Sequence, residues 1–380
     1  MFDFPGLRWT LGWTMFAAST GCSGKLVDIG GNADAGVGPV YAVSAPPVSE
    51  DAGELSPLGW KLVDDDWPIL NFVADGGRVF WFAAAASNSP PRPTWALRSC
   101  EVARCKSTVQ VLNIYVKAGV DYSVDDSRSL PMAVNGTDVF LLNPQVGSGV
   151  AYCSKESCPS FDYLNPTAGI GTQELTFDVD DTYLYFATEG VVGRCEVSDC
   201  AATVERFAMV APPGESSFVD AVQVRLEGDY LYIASLDGRI IRTPKDGTGV
   251  FQVIARDPQT IVTFAVGGGY VFWAEQPPMG RMLSCPIGGC TGDPRVLASN
   301  LDDLSADDEY VYFTQSLDPM SRVLRRCPVA DCSAPTTLAE SPTIGTLVTS
   351  DDKFVYFAGS SNIVVGPTTE LHSYISASRK

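Results

Sequence analysis

Ten of the eleven cysteines stand in five pairs with four residues between their members: Cys100/Cys105, Cys153/Cys158, Cys195/Cys200, Cys285/Cys290 and Cys327/Cys332. The eleventh is Cys22. Thiols in such a pattern could close disulfides, hold zinc or cycle between redox states. Zinc sites draw Cys-x2-Cys knuckles together in fours or add histidines, whereas these pairs lie 42 to 90 residues apart and the chain has one histidine, His372. The spacing therefore predicts five disulfides, and with them an oxidising compartment outside the cytoplasm. A single histidine near the end of the chain also removes most His-based triads and His general bases.

The carboxylates are the other abundant chemistry. Forty-five acidic against 26 basic side chains give a formal charge of −19, which repels a phosphate backbone, so no nucleic-acid partner is expected. Acidic doublets such as Asp180-Asp181, Asp307-Asp308 and Asp351-Asp352 invite a calcium reading. Their recurrence before similar apolar runs marks them instead as turn residues and solubility charge; Asp302-Asp303 and Asp64 to Asp66 are the places where calcium is best sought. Glu189 and Asp237 could do acid/base work on neighbouring repeats, but nothing sets their separation, and no Gly-rich phosphate loop or Gly-x-Ser-x-Gly elbow appears. No catalytic residue, metal ligand or cofactor is assigned.

Residues 1–22 resemble a secretory signal: Arg8 precedes the apolar stretch Trp9 to Ala18, and small residues lead into Gly21-Cys22-Ser23-Gly24. Gly21-Cys22 resembles the cleavage and lipidation site of a bacterial lipoprotein, with Ser19 where a lipobox usually has Leu. A plain secreted protein with a different cut, or a displaced start codon, is the alternative. Residues 23–57, rich in Gly, Ala, Pro, Ser and Asp, read as a flexible tether, and residues 58–380 as the folded domain. No apolar run of 18 or more follows, so the one membrane contact expected is a lipid on Cys22.

These groups need a scaffold. The whole chain is 380 residues, 45% hydrophobic, with 35 Gly and 26 Pro, enough for a large core and many turns. A run of β-branched and aromatic residues recurs seven times: Val79-Phe80-Trp81, Val139-Phe140-Leu141, Leu184-Tyr185-Phe186, Leu231-Tyr232-Ile233, Val271-Phe272-Trp273, Val311-Tyr312-Phe313 and Val355-Tyr356-Phe357. Steps of 40 to 60 residues separate their centres, and a cluster of Asp, Asn or Gly precedes each. From Leu304 to Ala339 one unit reads as a four-stranded antiparallel meander. Seven such units predict an all-β fold, a seven-bladed β-propeller of four-stranded antiparallel blades. Either Trp60 to Val63 or the tail Glu370 to Ile375 could supply the outer strand that closes the ring.

Each Cys pair falls where a third strand turns into a fourth, and a four-residue loop would set its two cysteines opposite each other across those strands. The disulfides are expected to staple single blades and do little to join one blade to the next. The fourth repeat has Thr243 and Thr248 at that place, with Pro244-Lys245-Asp246-Gly247 between them to form the turn unaided. Turns and staples share one face. The opposite face takes the second-to-third loops and the blade crossovers, where sequence varies and binding usually lives. The candidate binding residues there are Trp67, Arg92, Trp95, Glu189, Asp237, Arg239, Glu275 and Asp318; Trp67 and Trp95 could instead cap the core, to which Trp81 and Trp273 belong.

Val311-Tyr312-Phe313-Thr314 and Leu231-Tyr232-Ile233-Ala234-Ser235, followed by Gly238-Arg239-Ile240-Ile241-Arg242 and Asp246-Gly247, are similar to the YWTD-type repeats of LDL-receptor-like propellers. The chain looks like the bacterial lipoprotein propellers of that broad type across residues 60–380. Where those repeats carry Asp, this chain has Gln315, Ser235 or Glu275, so the resemblance implies a fold and an interaction role and transfers no functional residue. The expected protein is an exported β-propeller at the cell envelope that binds a protein, peptide or glycan. A propeller hydrolase or lyase, carboxylate- or metal-dependent, and a structural envelope protein without a discrete ligand are the alternatives.

Overall fold

The computed structural model describes residues 55–380 apart from 57–58, 66–68, 85–93, 117–130, 143–148, 167–174, 189–190, 209–220, 277–279, 319–320, 342–343, 352 and 366–367. Cys22 and the expected signal and tether up to residue 54 lie outside the described residues. Within that span seven antiparallel sheets follow one another along the chain. Six are consecutive four-stranded meanders, as in blade six, where Leu301–Ala306, Tyr310–Asp318, Ser321–Pro328 and Thr336–Ser341 pair in sequence order. The seventh takes its first three strands from Ile344–Ser350, Phe354–Val365 and Thr368–Arg379, and its fourth from Gly59–Asp65 at the other end of the chain. The N-terminal strand and the tail do not compete: the tail is the third strand and the N-terminal strand, extended by the short hairpin partner Leu55–Ser56, lies outside it.

Two turn chemistries open the blades. In blades one, four and five, glycines with positive φ sit at Gly76-Gly77, Gly228 and Gly268-Gly269, the conformation that a two-residue hairpin turn requires. In blades two, three, six and seven the side chain of Asn135, Asp180, Asp307 or Asp351 accepts from the backbone N–H groups two and three residues on. The acidic doublets thus serve as turn residues through their first member.

Burial follows the two-residue period of the strands. Seven apolar clusters form, one at each junction between neighbouring blades, around Trp81, Phe82, Phe186, Ile233, Trp273, Phe313 and Phe357. Trp81 and Trp273 are fully buried.

All five disulfides are present, Cys100–Cys105, Cys153–Cys158, Cys195–Cys200, Cys285–Cys290 and Cys327–Cys332, with Cα–Cα separations from 4.7 Å to 5.3 Å. Their local geometry corrects the expectation that the two cysteines face each other across adjacent strands. The first of each pair is on a third strand, but the second stops short of the fourth. Cys105 and Cys200 begin the single helical turns Cys105–Thr108 and Cys200–Thr203, while Cys158, Cys290 and Cys332 lie in irregular turns. The cause is the length of the connection, which is seven or eight residues in place of four, so each bridge ties a turn back onto its own third strand.

The bridges also do more than hold single blades, for each packs into the apolar cluster shared with the preceding blade; Cys105, Cys158, Cys200 and Cys332 are buried there, and Cys290 is half-buried against it. The reason is register. The first cysteine pairs with the apolar residue that starts the core run, as in Val79↔Cys100 and Val311↔Cys327, so both project to the same side of the sheet. Cys290 makes a further tie through its backbone, its N–H donating to the Ile254 carbonyl of blade four at 3.2 Å.

Blades four and seven lack a bridge for different reasons. In blade seven the corresponding residue is Ser378, opposite Val355, and no third-to-fourth hairpin follows it because the fourth strand is N-terminal. In blade four Thr243 pairs with Leu231, and the turn that follows packs on Phe207 of blade three: a Cβ on Gly247, where φ is +71°, would stand 2.3 Å from that ring. An aromatic side chain from the neighbour packs against this turn where the other blades carry a bridge. Replacing Thr243 and Thr248 together with cysteine is expected to create a sixth disulfide. A thiol titration after air oxidation reads it directly, and two persistent free thiols would refute the equivalence.

Lysine ties run from blade to blade on the same face. Lys155, Lys245 and Lys380 each stand two residues after the cysteine position and each pairs with the turn carboxylate of the preceding blade, Asp75, Asp180 and Asp307 respectively. On the opposite face, at the junction of blades seven and one, Asp65 ends the N-terminal strand; its carboxylate accepts from Trp81 Nε1 at 2.7 Å and from Arg98 Nη1 at 2.8 Å, and all three residues are buried. Asp257 repeats half of this device by accepting from Trp273 Nε1 at 2.7 Å.

Candidate functional site

The two faces differ in their connections. On the disulfide face the six third-to-fourth connections are seven or eight residues each. On the opposite face the second-to-third connections and crossovers range from two residues to the fifteen between Val116 and Met132. The long ones, at 85–93, 117–131, 165–175 and 207–220, all belong to blades one to four. Strand positions cannot vary without breaking a ladder, whereas these segments can, so this half of the face is where a specific surface can be built.

Arg92 belongs to the long connection 85–93, whereas Trp67 and Glu189 belong to the short ones at 66–68 and 189–190; all three lie outside the described residues. Trp95 is at the start of the third strand of blade one, buried, with its ring 6.2 Å from that of Phe82. Three of the others are held near strand ends in blades four and five. Arg239 is buried and its Nε lies 2.7 Å from Asp237, whose Oδ1 also accepts from Ser235 Oγ at 2.5 Å. Burial works to raise the Asp237 pKa, but the hydrogen bonds from Arg239 and Ser235 outweigh it and hold the carboxyl below the usual range, which suits an ion pair and not a proton donor. Glu275 is fully buried and bound by Arg281 through both carboxylate oxygens. Asp318, at the end of the second strand of blade six, is exposed. The five described residues therefore do not converge. Asp237 and Arg239 come together as a pair, while Trp95, Arg239 and Glu275 turn away from solvent.

Ser235, Glu275 and Gln315, which end the second-strand runs of blades four to six, are all buried and all bonded locally, Gln315 to the Ser299 carbonyl and Arg325. They close one end of blades four, five and six.

A second polar constellation runs along the first strands of blades three to seven, which line the axis of the ring. Thr176 Oγ1 accepts from the Val224 N–H, Asp178 from the Leu226 N–H at 2.9 Å and Gln223 from the Phe264 N–H at 2.9 Å. Thr263 donates to Asp303, whose other oxygen accepts from the Val348 N–H at 3.0 Å. Each bond joins one blade to the next, so these side chains lace the inner wall. The strand of blade six begins at Leu301, which places Asp302 and Asp303 within it and not in a crossover. Arg225 extends from the blade-four strand, its Nη1 donating to the Val224 carbonyl, and its charge acts on both Asp178 and Asp303.

Burial raises the pKa of Asp178, and pushes that of Asp303 up to about 6 despite the N–H groups of Val348 and Leu304, the Thr263 hydroxyl and Arg225. Because the folded value lies above the ordinary carboxylate value, the native protein holds a proton at intermediate pH that the unfolded chain has released. Stability from this group is present below about pH 4 and is lost as pH rises to about 6, by at most about 3 kcal/mol. Asp303→Asn is expected to remove that slope. Urea midpoints measured across the window should converge for the two proteins at the acid end and separate, with the variant higher, towards neutrality. Parallel curves would show that Asp303 does not titrate there.

Apart from Asp303, these channel residues do not stand out in the sequence as a site. Their signal was the alternation before each turn, Thr176-Phe177-Asp178 or Gln223-Val224-Arg225, a polar residue at every second place in an inner strand. Of the carboxylates that invite calcium, Asp65, Asp302 and Asp303 are taken up by protein donors, Asp66 and the Asp64 side chain lie outside the described residues, and among the described residues no three His, Cys, Asp or Glu side chains gather as a metal site would need.

These features define a class, the seven-bladed β-propeller. The solved structure of U3-55K has the same kind of fold, with a TM-score of 0.55, 11% identity, and coverage of 82% of this chain and 95% of that one. The crystal structure of the computationally designed Ika8 protein aligns with a TM-score of 0.47 and 10% identity over 83% of this chain and 98% of its own. No protein-family model and no curated protein matches the sequence.

Proposed function

We propose that this protein is an exported β-propeller that acts as a binding module at the cell envelope, anchored by a lipid on Cys22, and that it takes a protein, peptide or glycan partner on the loop face of blades one to four. The observation that carries the reading is the contrast between faces: one keeps its six third-to-fourth connections at seven or eight residues, five of them pinned by a disulfide, while the other concentrates connections of nine to fifteen residues in half the ring. Disulfides in five of seven blades support an oxidising compartment. Within this reading Trp67, Arg92 and Glu189 are the contact residues, and Asp237 and Asp318 form the rim on the short-loop side. Trp95 supports blade one from beneath.

Two variants test it. In one, residues 85–93 are replaced by Asn-Gly, a turn that closes two strands directly; in the other, on the opposite face, Lys155 becomes Ala. Both are screened beside the parent on glycan and peptide arrays and by crosslinking on intact cells. Binding lost in the first and kept in the second supports the assignment; binding that survives the first, or no binding by the parent, rejects it. Cys22→Ala should abolish incorporation of radiolabelled palmitate if the anchor is present.

A further inference from the structure

Blade seven departs from the other six in the length of its middle hairpin. Phe354–Val365 and Thr368–Arg379 are twelve residues each, where the corresponding strands of blade three are six. The inner strand follows Phe354–Val365 no further than Ile344↔Gly359, and the N-terminal strand follows Thr368–Arg379 no further than Asp65↔Ser373. Beyond those points Ser361↔His372, Asn362↔Leu371, Ile363↔Glu370, Val364↔Thr369 and Val365↔Thr368 pair only with each other among the described residues. The hairpin leaves the blade as a two-stranded ribbon on the loop face. Six residues at about 3.3 Å each carry it roughly 20 Å past the sheet.

Among the described residues nothing pairs with either edge of that ribbon, and natural edges of this kind are blocked by lysine, proline, a bulge or extreme shortness. The edge Thr368 to Ser373 carries Glu370 and His372. The edge Ser360-Ser361-Asn362-Ile363-Val364-Val365 has no charged residue, proline or glycine, in a chain whose net charge is −19. Its composition is that of a strand that pairs readily.

We propose that Ser360–Val365 pairs antiparallel with the same strand of a second copy of this chain. An uncharged strand is its own best complement here, because any acidic surface elsewhere on the copy is repelled. Antiparallel pairing about a two-fold axis uses the same edge on both partners and closes, so it stops at a dimer. A two-stranded ribbon is marginal alone, and the pairing turns two of them into one four-stranded sheet. The ribbons also hold the two acidic rings apart by more than the Debye length of about 8 Å at physiological salt, so the like charge weakens the dimer without preventing it. The inference is independent of the partner-binding reading above, since it uses a different part of the face and a different occupant.

Sedimentation equilibrium of the oxidised protein at micromolar concentrations should give twice the mass of one chain, with association strengthened as salt is raised. Replacing residues 361–372 by Asn-Gly joins Ser360 to Ser373 through a two-residue turn and spares every ladder of the blade; this variant, and Ile363→Lys with Val365→Lys as a lighter change, should sediment as monomers. Single cysteines placed in turn from Ser361 to Val365 should give a crosslinked dimer at the position nearest the axis. A monomeric parent at every salt concentration overturns the proposal, and so does a dimer that survives both variants. A crosslink through none of the five positions also overturns it.

Discussion

Asp65→Ala is expected to destabilise the protein by about 3–5 kcal/mol, because it leaves the Arg98 guanidinium buried at the junction of blades seven and one without the carboxylate 2.8 Å away. The loss has a second part. Trp81 Nε1 loses its acceptor in the same step, and a buried donor left unmade costs about 1–3 kcal/mol, part of which water recovers by entering the space vacated. The location magnifies the effect, for Asp65 is the last residue of the N-terminal strand that pairs with the tail in the final blade. Guanidinium unfolding monitored by tryptophan fluorescence measures the change. Arg98→Met alone should also be costly, while the double variant Asp65→Ala, Arg98→Met should recover much of either loss, since a buried pair replaced as a unit leaves no stranded charge. Additive losses in the double variant would mean that the two side chains act separately.

Reduction should have the largest effect of all. A six-residue ring constrains the unfolded chain by about 2 kcal/mol, so five together contribute roughly 10 kcal/mol, comparable to the whole stability of an ordinary domain. Four of the five bridges have both cysteines buried, the exception being the one through Cys290, and all five pack into blade junctions, so reductant alone should act slowly on the folded protein. Unfolded in denaturant, reduced and then diluted under reducing conditions, the chain should fail to regain its near-ultraviolet dichroism, whereas the oxidised chain should refold. Superposable unfolding curves with and without reductant would show that the bridges carry little of the stability.

How much of this could be read from residues alone depended on repetition. The seven core runs and their turn clusters located every second strand and fixed the blade count, because each blade solves the same packing problem with the same residue types. Spacing likewise paired the cysteines, but it could not place the second of each pair. A Cys-x4-Cys run fits a tight hairpin as well as the bridged turns that hold Cys105, Cys200, Cys290 and Cys332, and only the start of the fourth strand separates the two. Single events left no such trace. That Gly59–Asp65 and the tail occupy adjacent places in one sheet follows from closing a ring, which a repeat cannot announce. The burial of Arg239 and Glu275 was hidden for a related reason: charge suggests a surface, and only the partners Asp237 and Arg281, brought beside them by short connections, make the interior tolerable. The ribbon at Ser360–Ser373 continues a strand pattern past the point where its neighbours stop, and where neighbours stop is a property of the assembled sheet.

The pairing Trp60↔Ala377 joins residues near opposite ends of the chain. Six blades can form from neighbours in sequence as the polypeptide emerges, but the seventh waits for the last residues to arrive and for its first-made strand to have stayed free. Contacts of such sequence separation are slow to form, and the open ring meanwhile exposes the faces of blades one and seven to other chains. A permuted chain that begins at Ile69 and carries Gly59–Asp65 after Lys380 would turn this last search into a local hairpin, with Ser378 standing where the other blades place a cysteine.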